Sequence, residues 1–176
     1  MTVKEVFEAL QKDGKGAGLS LFEGPKDAAI VVPRERLREV GRHLRDARPL
    51  AFDLLVLLTG THMTEKKDAK GTLLREPHFE LIYHLRSIRQ RSLVAVKVRL
   101  PIGDPTVDSV SDLWPAANWH ERETFDLVGI GFKGHPDLRR ILLPDDWEGH
   151  PLRKDYVYPK AYRDINLEVD APWPTP

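Results

Sequence analysis

Residues 79–100, "FELIYHLRSIRQRSLVAVKVRL", decide the fold. Apolar side chains occupy alternate positions in both halves of this stretch, and a short polar link separates the halves. One face would carry Phe79, Leu81, Tyr83, Leu85, Val94, Val96, Val98 and Leu100. Alternation with a period of two is typical of strands that bury one face and leave the other wet. The short link "IRQR" therefore predicts that the two strands pair as an antiparallel hairpin.

Other strands are predicted on both sides of this hairpin. "LSLFE" (19–23) and "AAIVV" (28–32), joined by "GPKD", form a second hairpin candidate. "FDLLVLL" (52–58) is nearly all apolar, so we expect it at the centre of the sheet. The polar residues 64–76 are expected to form a loop.

Three helices are predicted. The first, "TVKEVFEALQK", begins with capping-box spacing between Thr2 and Glu5. Pro33 opens the second, whose buried face would carry Leu37, Val40 and Leu44. The third runs from about Pro115 to Val128 and ends at Gly129.

Strands cluster along the chain instead of alternating with helices, which favours an α+β fold. We expect a mixed or antiparallel sheet with helices packed on one face, in a domain spanning residues 1–143. Residues 144–176 are predicted to be an extended C-terminal tail that combines prolines with aromatic side chains such as Tyr158 and Trp173. We expect this tail to bind a partner or, alternatively, to fold back on its own domain.

Composition excludes several function classes. Lysine plus arginine and aspartate plus glutamate number 27 each, so a general nucleic-acid binder is not expected. The chain has no cysteine, which excludes disulfides, a cysteine nucleophile and ordinary iron–sulfur ligation. No apolar run approaches the ~20 residues that a membrane helix needs, and the N-terminus lacks the pattern of a signal peptide.

Two similar phrases, "GHPDLRR" (134–140) and "GHPLRKD" (149–155), follow the third helix. On that helix, Glu123 and Asp126 would share an apolar stripe with Ala116, Trp119 and Leu127. Buried carboxylates need partners, and the two phrases supply bases. We therefore predict an ion-pair network that joins Glu121, Glu123 and Asp126 to Arg139, Arg140, Arg153 and Lys154. Such pairs would lower the pKa values of these acids. Acids on a neighbouring chain are the alternative partners of these bases.

Other chemistries find weaker support. His120, His135 and His150 would be the ligands of a metal-dependent hydrolase, but no H-E-x-x-H spacing is present. A histidine in a Gly-His-Pro turn more often binds local backbone. The six arginines between residues 34 and 48 indicate a solvated helix face or, alternatively, a docking surface for an acidic partner.

The run E-R-E-x-x-D, followed by "GHPDLRRIL" and "GHPLRKDY", closely resembles one family: the thirty-kilodalton (C) subunit of the proton-pumping NADH:quinone oxidoreductases, also called respiratory complex I. "WPAANW", "YHLRS" and "VKVRLP" are also similar to it. The matching signature and interface residues are Glu121, Arg122, Glu123, Asp126, His135, Asp137, Leu138, Arg139, Arg140, His150, Arg153, Lys154, Asp155 and Tyr156.

The resemblance implies a structural subunit of the peripheral arm of a membrane-attached enzyme that couples electron transport to proton translocation. It implies no catalytic residue, metal or cofactor in this chain, while the assembled complex would hold FMN, iron–sulfur clusters and quinone. The partners would be other peripheral-arm subunits, chiefly the large quinone-cavity subunit. The implied location is the cytoplasmic side of the cell (inner) membrane, held there through partners. The equivalent subunit of a membrane-bound hydrogenase-type complex is the alternative.

Overall fold

A computed structural model describes residues 1–24 and 28–167, and it places helices on one face of a five-stranded sheet. The elements, in chain order, are α1 (Val3–Lys12), β1 (Ser20–Glu23), β2 (Ala28–Val31), α2 (Leu37–Asp46), β3 (Leu54–Met63), β4 (Lys66–Lys67), β5 (Leu73–Arg75), β6 (His78–Ser87), β7 (Ser92–Pro101), β8 (Thr106–Asp108), α3 (Ala117–Val128), β9 (Gly131–Lys133), β10 (Ala161–Tyr162) and β11 (Ile165–Asn166). The α+β prediction is confirmed.

The strand order in the main sheet is β1-β2-β7-β6-β3. β6 and β7 form the antiparallel hairpin predicted from their alternation, with Ser87 opposite Ser92 at the turn. β1 and β2 also pair antiparallel, although residues 25–27 of their predicted turn lie outside the described residues. β2 joins β7 in parallel, with Ile30 opposite Val96, so the sheet is mixed. All eight apolar side chains predicted to share one face of the β6–β7 hairpin are buried.

The prediction for "FDLLVLL" is wrong, because β3 lies at the edge of the sheet and β7 at its centre. The pairing of β3 with β6 shifts register between Leu55 and Leu57. This bulge buries Leu55 and Leu58 but leaves Leu54, Val56 and Leu57 exposed. An apolar run in the sequence therefore does not distinguish a central strand from an edge strand that leaves some of its apolar side chains exposed.

α1 and α2 lie together against the buried face of the sheet. Thr2 and Glu5 form the expected capping box at the start of α1. A single 3-10 turn, Arg34–Arg36, separates Pro33 from α2, so the α-helix begins later than predicted. Its predicted apolar face is buried, and it packs near Tyr83, Leu85 and Val96. His43 Nε2 and Asp13 Oδ2, 2.8 Å apart, join α2 to the end of α1.

α3 approaches β3 closely at a glycine. A Cβ atom on Gly60 would lie 2.6 Å from Thr124 Cγ2, so a larger residue would force the helix away from the strand. The helix ends at Gly129 in the left-handed conformation (φ 76°), as the sequence predicts. Gly129 therefore sets where α3 ends, close after the signature residues Glu121 and Asp126 on the same helix.

Residues 64–76 form a small ribbon instead of the expected loop. β4 and β5 pair antiparallel, and the Asp68 carboxylate accepts hydrogen bonds from the amides of Lys70 and Thr72 in the turn between them. Local side-chain-to-backbone bonding of this kind gives a short polar segment an ordered turn without an apolar pattern. In the described part of the chain, no helix is long and apolar enough to cross a membrane.

Candidate functional site

The buried face of α3 differs from the predicted stripe. Ala117, Glu121, Thr124 and Val128 are buried, at helical spacing, and Arg122 and Asp126 are buried beside them. Trp119 and Glu123 are exposed instead. The prediction placed the large apolar side chain of Trp119 on the buried face of the helix. In the structure, a strip of mostly small and polar side chains faces the domain instead. The buried side of this helix is therefore held largely by hydrogen bonds.

Asp126 is fully buried and organises the segment after the first Gly-His-Pro phrase. Its Oδ2 accepts hydrogen bonds from three consecutive amides, those of Ile141, Leu142 and Leu143, at 2.8–3.0 Å. Its Oδ1 lies 2.7 Å from Arg140 Nη1. Burial by itself raises the pKa of Asp126, but these donors outweigh it and hold the pKa below its ordinary value. The predicted pairing of a buried acid with a base of the first phrase is confirmed here.

Arg140 also ties the two phrases to each other. Its Nη2 donates to the carbonyl oxygens of Trp147 and Gly149, at 2.8 and 3.2 Å. One guanidinium thus connects α3, the residues between the phrases and the start of the second phrase. This multiple bonding is the geometry for which the planar arginine group is suited.

The other three bases do not reach the predicted acids, so the network is smaller than expected. Arg139 is 71% exposed at its side chain and pairs with Asp137. Arg153 donates to the carbonyl oxygens of Val128 and Gly129, at 2.7 and 3.1 Å. The amide of Lys154 donates to His62 Nδ1. A helix C-terminus leaves carbonyl oxygens without intrahelical partners, which explains why Arg153 binds backbone in place of a carboxylate.

Arg122, the central residue of the E-R-E run, is buried and also binds backbone. It donates to the carbonyl oxygens of Arg139 and Arg140, both at 3.3 Å. Its guanidinium lies 5.3 Å from the centre of the Trp119 ring and 3.8 Å from Asp137 Oδ2. Leu138 packs against the core beside this segment. The signature charges therefore hold the chain's own backbone in place.

Glu121 contradicts the expectation that every signature acid has a lowered pKa. Its carboxylate is fully buried and accepts hydrogen bonds from Ser109 Oγ (2.6 Å) and the Val110 amide (2.8 Å), and His135 Nε2 lies 4.0 Å away. Burial outweighs these bonds and raises the pKa of Glu121 to about 7. Among the described residues, the buried Tyr83 hydroxyl has no hydrogen-bond partner, and burial together with the nearby Glu121 charge raises its pKa. No sequence pattern pointed to Ser109 or Tyr83 as neighbours of this carboxylate.

The histidines of the two phrases bind backbone. His135 Nδ1 accepts from the Asp137 amide at 3.0 Å, as expected for a turn, and its Nε2 lies 3.1 Å from the Asn118 carbonyl oxygen. His150 Nδ1 lies 2.9 Å from the Asp126 carbonyl oxygen, and burial lowers the pKa of this imidazole. His120 lies on α3, where its Nδ1 is 3.9 Å from Glu123 Oε2. Within residues 1–24 and 28–167, no group of three or more histidines and acids is placed to hold a metal.

The first part of the predicted tail packs on its own domain. The Leu152 amide donates to the Leu127 carbonyl oxygen at 2.9 Å, and Trp147 Nε1 donates to the Tyr156 hydroxyl at 2.9 Å. Asp155 lies 3.4 Å from His62. Val157 and Tyr158 are exposed. Residues 168–176, which include Trp173, lie outside the described residues, and the role of this tail in partner binding stays a prediction.

Gly129→Ala should destabilise the domain by at least about 2 kcal/mol, because an L side chain is strained at this positive φ and its Cβ would contact Arg153 and His150. Gly134→Ala is the matched control: its φ is also 76°, but nothing among the described residues lies within 4 Å of a Cβ there. We expect the control to lose about 1 kcal/mol in urea denaturation. Equal losses of stability in the two variants would show that the close packing of His150 and Arg153 against Gly129 does not stabilise the domain.

Arg140→Ala is expected to lower the free energy of unfolding by about 2–3 kcal/mol, because it removes the counter-ion of Asp126 and a donor to Trp147 and Gly149. Arg139→Ala, the adjacent and exposed arginine, should leave stability close to that of the wild type. Urea denaturation of the two variants compares them directly. Similar losses for both would contradict this division of roles.

Comparison with known proteins gives consistent similarities. The family described as "Respiratory-chain NADH dehydrogenase, 30 Kd subunit" matches residues 30–162. The C subunit of the NADH-quinone oxidoreductase of Roseiflexus sp. (strain RS-1) is 47% identical over 85% of this chain and 81% of its own length. An NADH-quinone oxidoreductase protein of Acidiphilium cryptum, named as a joint C/D subunit, is 46% identical over 73% of this chain, which corresponds to 21% of that protein.

Two solved structures have similar folds. The trypsin-resistant fragment of Nqo5 superposes with a TM-score of 0.60 at 29% identity, covering 78% of this chain and all of that one. A polypeptide of an archaeal membrane-bound sulfane sulfur reductase gives a TM-score of 0.60 at 22% identity, covering 94% of this chain and 98% of that one. The second similarity concerns the fold alone.

Proposed function

The chain belongs to the family of the 30 kDa subunit of the respiratory-chain NADH dehydrogenases, and from this premise we propose that it is a structural subunit of the peripheral arm of an NADH:quinone oxidoreductase. In this role it braces the subunits that carry electrons to quinone and couple that transfer to proton translocation. It contributes shape and contact surface to the enzyme, while the chemical steps take place on other subunits.

The family match over residues 30–162 carries this proposal. The geometry of the signature supports a structural role, because its most buried charged groups bind backbone of the same chain. Asp126 binds three amides, and Arg122 and Arg140 each donate to carbonyl oxygens. Groups that make such bonds position the chain's own backbone and are not available to bind a substrate.

The large quinone-cavity subunit is the partner that we propose as the main neighbour. In the joint C/D proteins of Acidiphilium cryptum and Azotobacter vinelandii, a sequence like this one occupies 21% of the polypeptide. Covalent fusion supports a direct and permanent contact between the two parts. We further propose that FMN, the iron–sulfur clusters and quinone are held by other subunits, and that this chain lies on the cytoplasmic side of the membrane, attached through its partners.

Affinity purification of the tagged chain from native membranes tests the proposal. We expect the subunits that bind NADH, iron–sulfur clusters and quinone to be recovered in constant ratio with it. Deletion of the gene should abolish NADH:quinone reductase activity of the membranes, and the intact gene should restore it. Recovery of the chain alone, with membrane activity unchanged by the deletion, would contradict the proposed function.

The same purification tests the hydrogenase-type alternative. Recovery of hydrogenase subunits in place of NADH-binding ones would favour it. The fold similarity to an archaeal membrane complex is compatible with both arrangements, because it shows fold alone. The identity to the C subunits of two Roseiflexus NADH-quinone oxidoreductases favours the NADH-linked enzyme. The metal-dependent hydrolase receives no support from the positions of His120, His135 and His150.

A further inference from the structure

The sheet face that points away from the helices changes character along its length. At the end far from the β6–β7 turn, the Glu80 carboxylate is buried. It lies 3.1 Å from Lys97 Nζ and 3.7 Å from Arg99 Nε. The two cations at this end of the face therefore have an acid of the same sheet as their partner.

The end next to the β6–β7 turn is apolar and basic. Strand register places Leu54 on β3, Arg86 on β6 and Leu93 on β7 in one row across the sheet. Leu57 lies in the next row, opposite His84. Leu54 and Leu57 are each 41% exposed, and Leu93 is 52% exposed. Three leucines thus lie uncovered around one arginine on this end of the sheet face.

Positive charge is in excess at this end. Arg86, Arg89 and Arg91 are exposed, and over residues 1–24 and 28–167 none of the three has an acidic group within ion-pairing distance. Asp53 is the acid placed nearby, since its Oδ1 accepts a hydrogen bond from the Ile88 amide at 3.2 Å. One carboxylate cannot neutralise three guanidinium groups, so the turn end keeps a larger positive charge than the opposite end, where Glu80 lies between two cations.

We propose that the hairpin patch, defined as Leu54, Leu57, Leu93, Arg86, Arg89 and Arg91, docks an acidic, apolar segment of a neighbouring subunit. The apolar side chains of that segment would cover the leucines, and its carboxylates would bind the arginines. Charge complementarity selects the acidic partner, because guanidinium groups bind carboxylates in a planar, two-point geometry. Apolar centres with arginine and few lysines are typical of protein interfaces. This inference rests on the proposed function, which supplies the neighbouring subunits.

A protein segment fits the patch better than a lipid surface does. The leucines lie on paired strands of the sheet and not at a loop tip that could insert into a bilayer. The side of a helix or strand from another subunit can instead pack along such a row of strand side chains. Anionic lipid is consequently a result that would count against the proposal.

Site-specific photocross-linking in the assembled enzyme tests the occupant. A photoreactive side chain at Leu93 of the full chain, expressed in cells that make the complex, should form a cross-link to a peptide of another subunit with acidic and apolar residues. The same group at Thr61, which lies opposite Glu80 at the other end of the face, is the control for position. Cross-links from Leu93 to lipid, to a second copy of this chain, or to nothing in a purified, intact complex would overturn the proposal.

Charge reversal tests the role of the arginines. Substituting all three, Arg86→Glu, Arg89→Glu and Arg91→Glu, should weaken retention of the chain in salt-washed membranes about tenfold or more, because like charges would then face each other. The matched control, Lys12→Glu with Arg42→Glu and Lys70→Glu, makes the same charge change at exposed sites elsewhere and should leave retention unchanged. Replacing the cross-linked acid of the partner with arginine should restore the membrane retention of the charge-reversed chain.

The two levels of the hypothesis fail in different ways. If the wild-type chain is recovered without any NADH dehydrogenase subunit, the proposed function fails. If it is recovered with them, but the charge-reversed and control chains are retained equally, only the docking role of the hairpin patch fails. Thermal unfolding of each isolated variant confirms that the exposed substitutions leave the fold intact.

Discussion

Replacing Asp126 with alanine is expected to lower the free energy of unfolding by about 3–5 kcal/mol. The substitution leaves the Arg140 guanidinium without its counter-ion and three consecutive amides, those of Ile141, Leu142 and Leu143, without their acceptor. Buried donors that lose their partner each carry a desolvation penalty, so the loss should exceed that of an ordinary surface ion pair. Urea denaturation of the full chain measures it.

Two controls separate charge from shape at this position. Asp126→Asn keeps one acceptor oxygen and most of the volume, so it should fall between the wild type and Asp126→Ala. Asp137→Ala removes an exposed acid that pairs with the exposed Arg139 at 3.0 Å and lies farther, 3.8 Å, from Arg122, so its effect should be well below that of Asp126→Ala. A loss for Asp126→Ala no larger than that for Asp137→Ala would show that the amide cluster does not stabilise the segment.

Glu121→Gln is expected to remove a pH dependence from the stability of the domain. The folded-state pKa of Glu121 is about 7, above its ordinary value of 4.5, so the folded state favours the protonated acid. Its stabilising contribution is complete below the ordinary pKa and is lost as the pH rises through the folded value. Between about pH 5.5 and pH 8.5, the unfolding constant of the wild type should rise about 30-fold, or about 2 kcal/mol, relative to Glu121→Gln.

Glutamine suits this test because it can make the hydrogen bonds of a protonated glutamate. Its side-chain NH2 group can donate to Ser109 Oγ, and its oxygen can accept a hydrogen bond from the Val110 amide. Glu123→Gln, on the exposed side of the same helix, is the control and should follow the wild type at every pH. Urea denaturation at several pH values gives the comparison. Infrared detection of a protonated carboxyl group that disappears between these pH values, and is missing in Glu121→Gln, provides a second measure. Parallel curves for wild type and Glu121→Gln would contradict the assignment.

The sequence predicted those elements whose patterns are local. Alternation identified β6 and β7, glycine marked the end of α3, and Thr2 with Glu5 marked the start of α1. It misplaced β3, because the position of a strand within a sheet depends on pairing with distant residues, and a bulge altered which leucines face inward. The ribbon of β4 and β5 was missed because side-chain bonds to backbone, which leave no periodic pattern, hold its turn.

The candidate site was predicted in outline only. The importance of Asp126 and Arg140 followed from the cost of burying charge, and their pairing is confirmed. The partners of Arg153 and Arg122 were not predictable, because both arginines donate to backbone carbonyl oxygens, which every residue carries and no sequence pattern marks. The raised pKa of Glu121 depends on how deeply the folded chain buries its carboxylate, which spacing along the helix does not reveal.

The parallel pairing of β2 with β7 constrains how the chain is completed during synthesis. β2 ends at Val31, yet its partner is not finished until Pro101 has been added. Until then, Ile30 and its neighbours have a free strand edge, and long-range pairing of this kind slows folding. The N-terminal hairpin can therefore join the sheet only after the β6–β7 hairpin has been synthesised. An N-terminal fragment that stops before β7 should aggregate, because the edge of β2 has no partner strand.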